Sequence, residues 1–451
     1  MKKMLAVLCL AGLIPGLVFG NGSAESTPKK ESLEAGPTHV RIWTTDRHDA
    51  VHWTAKVDEY NKTNKDNIDL SYEIYTDNYM QAVDMAFQTG EAPDAFKFDN
   101  PFIKYINEGK CVDLLPLMSD QDKETFKSVM FEGHNLIDGH LYYIPSGDTC
   151  LRLFYNTAIF DRLGLKVPTT LEEMVACAKI ITEKLSSEGI YGFACNLKNP
   201  TSGLKRSMEP MNELSTGIYF GYNFSSGRYE FEKYEPVITL WKEMMKYAFP
   251  GCESLDIDPL RAQFAAGKIG MYLSYTHAEP GVYANQFPLQ PGTDWGCAQI
   301  PVQGGNLVSK QYFNVTPAFL INKDTKHLKE TWKAYHDVFL NLDNLKEHFE
   351  KGLGISMIPA VIQNAEMGEK YKTFPAMLQG ERDGLWPLTP EEKYSKDFIV
   401  EGANYFDTFA SMIFGQTDIK KGLKDLSTRY NKALDGALKA GNKPIVEDVK
   451  F

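Results

Sequence analysis

The feature that most constrains this chain is an alternation of strand and helix patterns running from residue 38 to residue 109. "THVRIWTT" places Val40 and Ile42 on one face of a strand. Ala50, Trp53, Val57 and Tyr60 follow at helical spacing. "NIDLSYEIYT" alternates Ile68, Leu70, Tyr72 and Ile74. "NYMQAVDMAFQTG" predicts a helix with Val83, Ala86 and Phe87 inward and Gly90 as its stop. "PDAFKFDN" is a third strand, and Pro101 opens a helix behind Asp99 or Asn100 that ends at Gly109. A β-α-β-α-β-α order requires crossover helices packed on a parallel sheet, which is an α/β fold.

A second α/β region begins with "LRLFYN", another strand. Thr170 and Glu173 have the spacing of a capping box, in which each side chain satisfies an amide at the other's end of the first turn. Leu171, Met174, Val175, Ala178 and Ile181 line the helix that follows. Further on come the strand "KIGMYLSYT", a strand over "YFNVTPAFLIN" and a helix with Leu328, Trp332, Tyr335 and Phe339 inward. The last third is mostly helical and closes on a stripe of Ile419, Leu423, Leu426, Tyr430 and Leu434. A chain of 451 residues is expected to make two or three domains, or two large lobes.

The first residues are a separate object. Lys2 and Lys3 precede the apolar run "MLAVLCLAGLIPGLVF", broken at Pro15-Gly16, and Gly20 stands before Asn21. This predicts a cleaved signal peptide over 1–20, because the run is shorter than the ~20 residues of a spanning helix. Cys9 lies inside the run behind bulky Leu8, which disfavours lipidation. Residues 21–37 are polar and small, without apolar periodicity, and are expected to be a disordered leader. Six cysteines remain, widely spread and without a CxxC pair, and are expected to be buried thiols.

A formal charge of −11 argues against a nucleic-acid partner held through phosphates. "HDAVH" sets His48 and His52 one helical turn apart, as a zinc protease would. Aspartate replaces the general-base glutamate, and no third ligand is evident, so no metal is expected there. No nucleophile elbow, phosphate loop or dinucleotide fingerprint occurs. No catalytic residue and no cofactor is therefore expected.

What stands out is polar and aromatic residues at strand ends, where an open α/β sheet forms its ligand crevice. Trp43 is followed by Thr44, Thr45 and Asp46; Phe98 by Asp99 and Asn100; and Ser274 and Tyr275 by Thr276 and His277. Sugars suit such loops: ring C–H faces pack on aromatic rings, and carboxylates accept hydroxyl donors. Core packing is the commoner fate of any single aromatic, so the argument rests on several together.

"GEAPDAFKFDN", "EGKCVDLLPL", "DGHLYYIP", "LRLFYNTAIFDRLGLKVPTTLEEM", "FAAGKIGMYLSY" and "GLGISMIPA" occur in this order. In that order they resemble the extracellular solute-binding proteins of ABC importers, specifically the large sugar-binding type related to maltose-binding protein. The resemblance covers roughly residues 38 to 440. It implies a type II periplasmic-binding-protein fold of two α/β lobes with a ligand cleft between them and a helical C-terminal region. The lobes would be 38–148 plus 311–345 and 149–310 plus 346–451, with strand crossings near 148, 310 and 345. The implied function is capture of a sugar or oligosaccharide by hinge closure, followed by delivery to an ABC permease in the membrane. The implied state is a periplasmic monomer. Carried over, the cleft candidates are Trp43, Asp46, Phe98, Asp99, Asp148, Thr149, His277 and Tyr405. Tyr275 joins them from its strand end. His277 and Tyr405 stand where sugar binders often carry tryptophan. "YFNVT" replaces an expected glycine-rich turn, which adds Phe313 and Asn314. The alternatives are the same fold binding a polyamine or a sugar phosphate, and a secreted hydrolase.

Overall fold

The computed structural model describes residues 36–75, 78–98, 103–316 and 318–449. The expected signal peptide, nearly all of the leader, and Asp99 lie outside these residues. The alternation read from the sequence is present. Strand β1 (Thr38–Thr44), helix α1 (Ala50–Thr63), β2 (Ile68–Ile74), α2 (Tyr79–Thr89) and β3 (Ala95–Lys97) follow in order. β1 pairs in parallel with both β2 and β3, with Val40 opposite Leu70 and Ile42 opposite Ala95. Trp53, Val57 and Tyr60 of α1 are buried on the sheet, as their spacing requires.

The second region opens with β4 (Gly147–Thr149), β5 (Leu151–Asn156) and α3 (Thr157–Leu163). The Asn156 side chain caps α3 by accepting from Ile159 N, and Gly164 ends it at φ 63°. Helix α4 (Leu171–Leu185) starts at a capping box in which Thr170 and Glu173 each accept the other's amide. The chain continues through β6 (Tyr191–Phe193), α5 (Pro200–Lys205), α6 (Met208–Thr216), α7 (Glu235–Met244), β7 (Ile269–Tyr275) and β8 (Trp295–Ala298). Then come β9 (Gln311–Tyr312), β10 (Asn314–Thr316), β11 (Phe319–Ile321), α8 (Leu328–Phe339), α9 (Leu342–Glu350), β12 (Ile355–Ser356) and β13 (Asp383–Gly384). Helices α10 (Tyr405–Ile413) and α11 (Ile419–Lys439) end the chain, with Leu423, Leu426, Tyr430 and Leu434 of α11 buried.

Two four-stranded sheets form the two lobes, in the orders β11-β3-β1-β2 and β8-β5-β7-β6. A third sheet, β10-β4-β12, is antiparallel, with Val315 and Ile355 both opposite Asp148. β4 leads directly into β5 of the second lobe, and β10 leads into β11 of the first. The strand expected over "YFNVTPAFLIN" is therefore three short strands, with breaks after Tyr312 and after Thr316. The crossing expected near 345 falls inside α9, and the strand that pairs with β4 comes later, at β12. The second lobe is built around Trp241, Phe193, Ile181 and Leu153, all fully buried.

One buried ion pair ties the crossing region together. Arg152 and Asp383 are both wholly buried and make two parallel N–H···O bonds of 2.8 and 2.6 Å. Gln311 Nε2 and Gly380 N also donate to the Asp383 carboxylate, at 2.6 and 2.8 Å. Arg152 in turn donates to the carbonyls of Leu151 and Leu378. Cys111, Cys150, Cys177, Cys195, Cys252 and Cys297 are all buried and free.

Candidate functional site

Between the lobes lies a cavity of about 430 Å³. Lys97 and Phe98 reach it from the end of β3, with Phe131, His134 and Tyr143 beside them. From the other lobe come Tyr275 at the end of β7, Tyr219, Tyr312 and Trp386, with Asn199, Ser202, Lys205 and Arg206 around the N-terminal half of α5 and just past its end. Tyr219 and Trp386 stack face to face, with centroids 5.1 Å apart and planes 2° from parallel. Phe98 leans on Tyr143 at 4.7 Å, and the hydroxyls of Tyr275 and Tyr312 meet at 3.3 Å. The result is a cleft walled by rings and edged by hydrogen-bond donors.

Tyr219 is held there by an unusual turn. Phe220 has φ 48°, a left-handed conformation that a bulky residue adopts only when its surroundings fix it. The buried Glu209 carboxylate fixes it by accepting from Phe220 N at 2.9 Å and from the Tyr234 hydroxyl at 2.8 Å. Gly221 continues the turn at φ 79°, and a Cβ on it would lie 2.2 Å from the Phe231 ring. One helical turn on from Glu209, Glu213 accepts from Tyr312 N at 2.8 Å. The two carboxyls of α6 thus position two of the cleft tyrosines. Burial raises both above the ordinary glutamate range.

The cleft is also rich in cationic groups. Arg206 donates to the Ser202 carbonyl and hydroxyl at 2.9 and 3.0 Å and lies 5.2 Å from the Tyr275 ring. Both acceptors are neutral, and burial lowers the Arg206 pKa from its usual value. Lys205 lies 5.7 Å from the Phe220 ring. Burial holds His134 down at about 4, so it is neutral at physiological pH. Among the described lining residues Glu392 is the single carboxylate.

At the foot of the cleft, Lys97 pairs with Asp46, and the His48 and His277 rings meet edge to face at 4.9 Å. Burial lowers the pKa of both rings, His277 most strongly, with His48 adding to the effect on it. Asp49 lies beside them, bonded to Trp53 Nε1 at 2.9 Å and His348 Nε2 at 3.0 Å.

A sequence profile of bacterial extracellular solute-binding proteins matches residues 49–336, well over half of the chain. The chain is a bacterial extracellular solute-binding protein. Curated relatives of this solute-binding protein include binding proteins of Brucella abortus and Brucella suis. They are 24% identical over 252 residues, 52% of this chain and 56% of theirs, so the chain spans about half the length of the relatives it matches. Solved structures share the fold over more of it. One is an ABC transporter solute-binding protein from Agrobacterium radiobacter K84 in complex with ribitol, with TM-score 0.70, 19% identity, and 88% and 99% of the two chains covered. Another is an ABC transporter solute-binding protein from Thermotoga lettingae bound with α-D-tagatose, with TM-score 0.69, 16% identity, and 88% and 100% covered. A sugar transporter from Bacillus licheniformis in complex with stachyose has TM-score 0.66 and 16% identity, with 88% and 100% covered. At these identities the likeness concerns the two-lobed fold. No helix among the described residues is long and apolar enough to cross a membrane.

Of the residues expected in the cleft of this solute-binding protein, Phe98, Thr149, Tyr275, His277 and Phe313 line the cavity. Asp46 lies below it, against Lys97. Trp43 is elsewhere: it packs on Tyr75 at 4.6 Å in the outer aromatic cluster with Tyr79 and Phe96. The alternation of β1 turns Trp43 away from the Val40–Ile42 face and into that second core. Asp148 is 2% exposed in the crossing strand and faces a separate cavity of about 380 Å³ with Phe349, Ile355 and Ser356. Tyr405 packs among Phe406, Phe220, Phe231 and Tyr430 and is absent from the described lining. Of Asn314 only the backbone is described, opposite Thr149. Sequence reading missed Tyr219, Tyr312, Trp386, Lys205 and Arg206. Tyr312 opens the strand expected over "YFNVTPAFLIN" but was passed over for Phe313 and Asn314; none of the other four sits at the end of a legible strand, and "KNPTSGLKRS" carried only the Asn-Pro start of a short helix as a signal.

Proposed function

We propose that this chain is the exported, periplasmic solute-capturing subunit of an ABC importer, that it binds a sugar or short oligosaccharide between its lobes, and that it delivers the sugar to a membrane permease. The observation that carries this reading is the ring-walled interlobe cavity of about 430 Å³, inside the ~300–1,000 Å³ range of small-molecule sites. Aromatic faces there fit sugar C–H surfaces, and Asn199, Ser202, Lys205 and Arg206 supply hydroxyl partners. The ribitol, tagatose and stachyose bound by similar structures support a polyol or sugar. The division into two lobes, with the expected bound at 345 moved past α9 to the crossing strand β12 (Ile355–Ser356), the monomeric state and the cleaved signal peptide belong to this proposal, as does a binding rather than catalytic role. Phe98, Thr149, Tyr275, His277 and Phe313 are kept as solute contacts, and Tyr219, Tyr312 and Trp386 are added.

Lys205 and Arg206 favour a second reading, a sugar bearing a phosphate or carboxylate, over a polyamine. A guanidinium whose bonds go to neutral acceptors has donors to offer an anion.

Thermal melting of residues 21–451 against neutral sugars, sugar phosphates, uronic acids and polyamines tests the proposal. A ligand at one hundred times its dissociation constant adds roughly 2.7 kcal/mol to stability. For the ligand found, Trp386→Ala and Tyr275→Ala are each expected to weaken binding more than tenfold. Unchanged affinity in both folded variants would show that the cleft is not the site.

A further inference from the structure

The "HDAVH" pair does not act as a local unit. His52 turns toward Trp53 and Glu347, with ring centroids 4.8 Å apart for the first and a 4.0 Å N···O separation for the second. His48 instead meets a residue 229 positions away in the chain. Asp46 and His48 sit in the loop after β1 of the first lobe, and His277 sits in the loop after β7 of the second. One ligand atom from each of the three lies within 4.8 Å of the others.

The three face a common cavity of about 20 Å³, also lined by Asp49 and His348, which is room for one ion or one water. Two buried polar atoms on its walls have no partner among the described residues: His277 Nδ1 and Asp49 Oδ1. Asp49 is 3% exposed, so its free oxygen is an acceptor enclosed by protein. His277 is held in place by its backbone N–H, which donates to Thr149 Oγ1 at 3.3 Å.

We propose that Asp46, His48 and His277 form a site for one divalent transition-metal ion of the zinc class, joining the two lobes beneath the solute cleft. Two imidazoles and one carboxylate are a borderline nitrogen and oxygen set. That set suits Zn²⁺, Co²⁺ and Ni²⁺, whereas Ca²⁺ takes six to eight oxygens and Mg²⁺ an octahedron of oxygens. Three protein donors leave a fourth tetrahedral position for water. Asp49, with Oδ2 3.6 Å from His48 Nε2, adds a negative charge beside the site. Lys97 is the built-in competitor, since its ammonium already donates to Asp46 Oδ1 and a bound ion must share that carboxylate. Because the donors come from both lobes, the ion stabilises the arrangement in which the lobes approach. It therefore couples to solute binding in the same direction. The proposal does not depend on the nature of the solute.

The test uses tag-free, chelator-stripped protein titrated with ZnCl₂ by calorimetry and by melting, and with Co²⁺ by visible absorption. One equivalent of Zn²⁺ is expected to bind and raise the melting temperature, and excess Mg²⁺ or Ca²⁺ is expected not to displace it. His277→Asn and His48→Gln are each expected to weaken Zn²⁺ binding at least tenfold. His52→Gln is expected to leave it unchanged, and Lys97→Met to tighten it. Metal-free melting curves and circular dichroism of each variant separate lost binding from lost folding. Wild-type protein that binds Zn²⁺ no tighter than the folded His48→Gln/His277→Asn double variant overturns the proposal. So does a Co²⁺ spectrum unchanged by both substitutions. Solute affinity measured with and without chelator is a separate readout: no solute binding with an intact zinc site would sink the importer reading and leave this one standing.

Discussion

Replacing Asp148 by Asn should remove the Asp148 share of the dependence of stability on pH between about 4 and 7. Asp148 is 2% exposed in the middle strand of the crossing sheet, and its Oδ1 has no partner among the described residues. Burial raises its carboxyl from 3.8 to about 7; nearby Asp383 adds to the shift and Arg152 opposes it. The folded state therefore holds this proton more tightly than the unfolded chain does. The stabilisation is fully present below the unfolded value and is lost as pH rises through the folded one, then is flat above it. About three pKa units at ~1.36 kcal/mol each give ~4 kcal/mol, and relaxation into the adjoining cavity reduces this to ~2–4 kcal/mol. Asn keeps the shape and cannot ionise. Desolvating its amide costs about 1–3 kcal/mol, but equally at every pH. The assay is the denaturant midpoint of both proteins at several pH values from 4 to 8. Groups titrating elsewhere cancel in the difference, so the variant should gain ~2–4 kcal/mol on the wild type between the two ends. Parallel curves would refute the reasoning, because they would mean that Asp148 ionises in the folded protein as easily as in water.

Asp383→Ala strands a wholly buried Arg152 and is expected to lower stability by about 3–5 kcal/mol in the same denaturant assay. Gly221→Ala forces both a clash with Phe231 and φ 79° on a residue with a side chain, so a lower melting temperature together with weaker solute binding is expected; a neutral outcome would mean that the turn relaxes freely. The six buried thiols should stay unreactive toward a thiol reagent under native conditions and react once the chain is unfolded, and a reductant should not shift the melting temperature.

The first lobe was legible because its elements are long and periodic: β1 and β2 each run for seven residues, and α1 shows its inner face at regular spacing. The capping box at Thr170 was legible because both of its partners are local in sequence. The crossing sheet was legible only through family resemblance. Its strands are two or three residues long, too short for any period to show. The cleft divided in the same way. Phe98 and Tyr275 end strands and could be picked out. Tyr219 arrives through a left-handed Phe220 whose amide is held by Glu209, a buried glutamate eleven residues earlier, and Trp386 follows a two-residue strand. Trp43 ends a strand too, but there the ring belongs to a second hydrophobic cluster that no local pattern announces. His48 paired with His277 rather than His52 because lobe approach, and not helical spacing, set the distance.

The position of β11 at the edge of the first sheet has a consequence for the order in which the molecule can fold. β3 finds its second neighbour only when Phe319–Ile321 is available, and the flanking contacts span 229 and 231 residues, from Asn322 to Pro93 and from Thr325 to Asp94. A fragment ending near 150 would leave β3 as an open edge, ready to pair with another copy. The amino-terminal lobe is therefore encoded first and finished late. Closing so long a loop before its contacts are rewarded makes slow folding the natural state of the young chain.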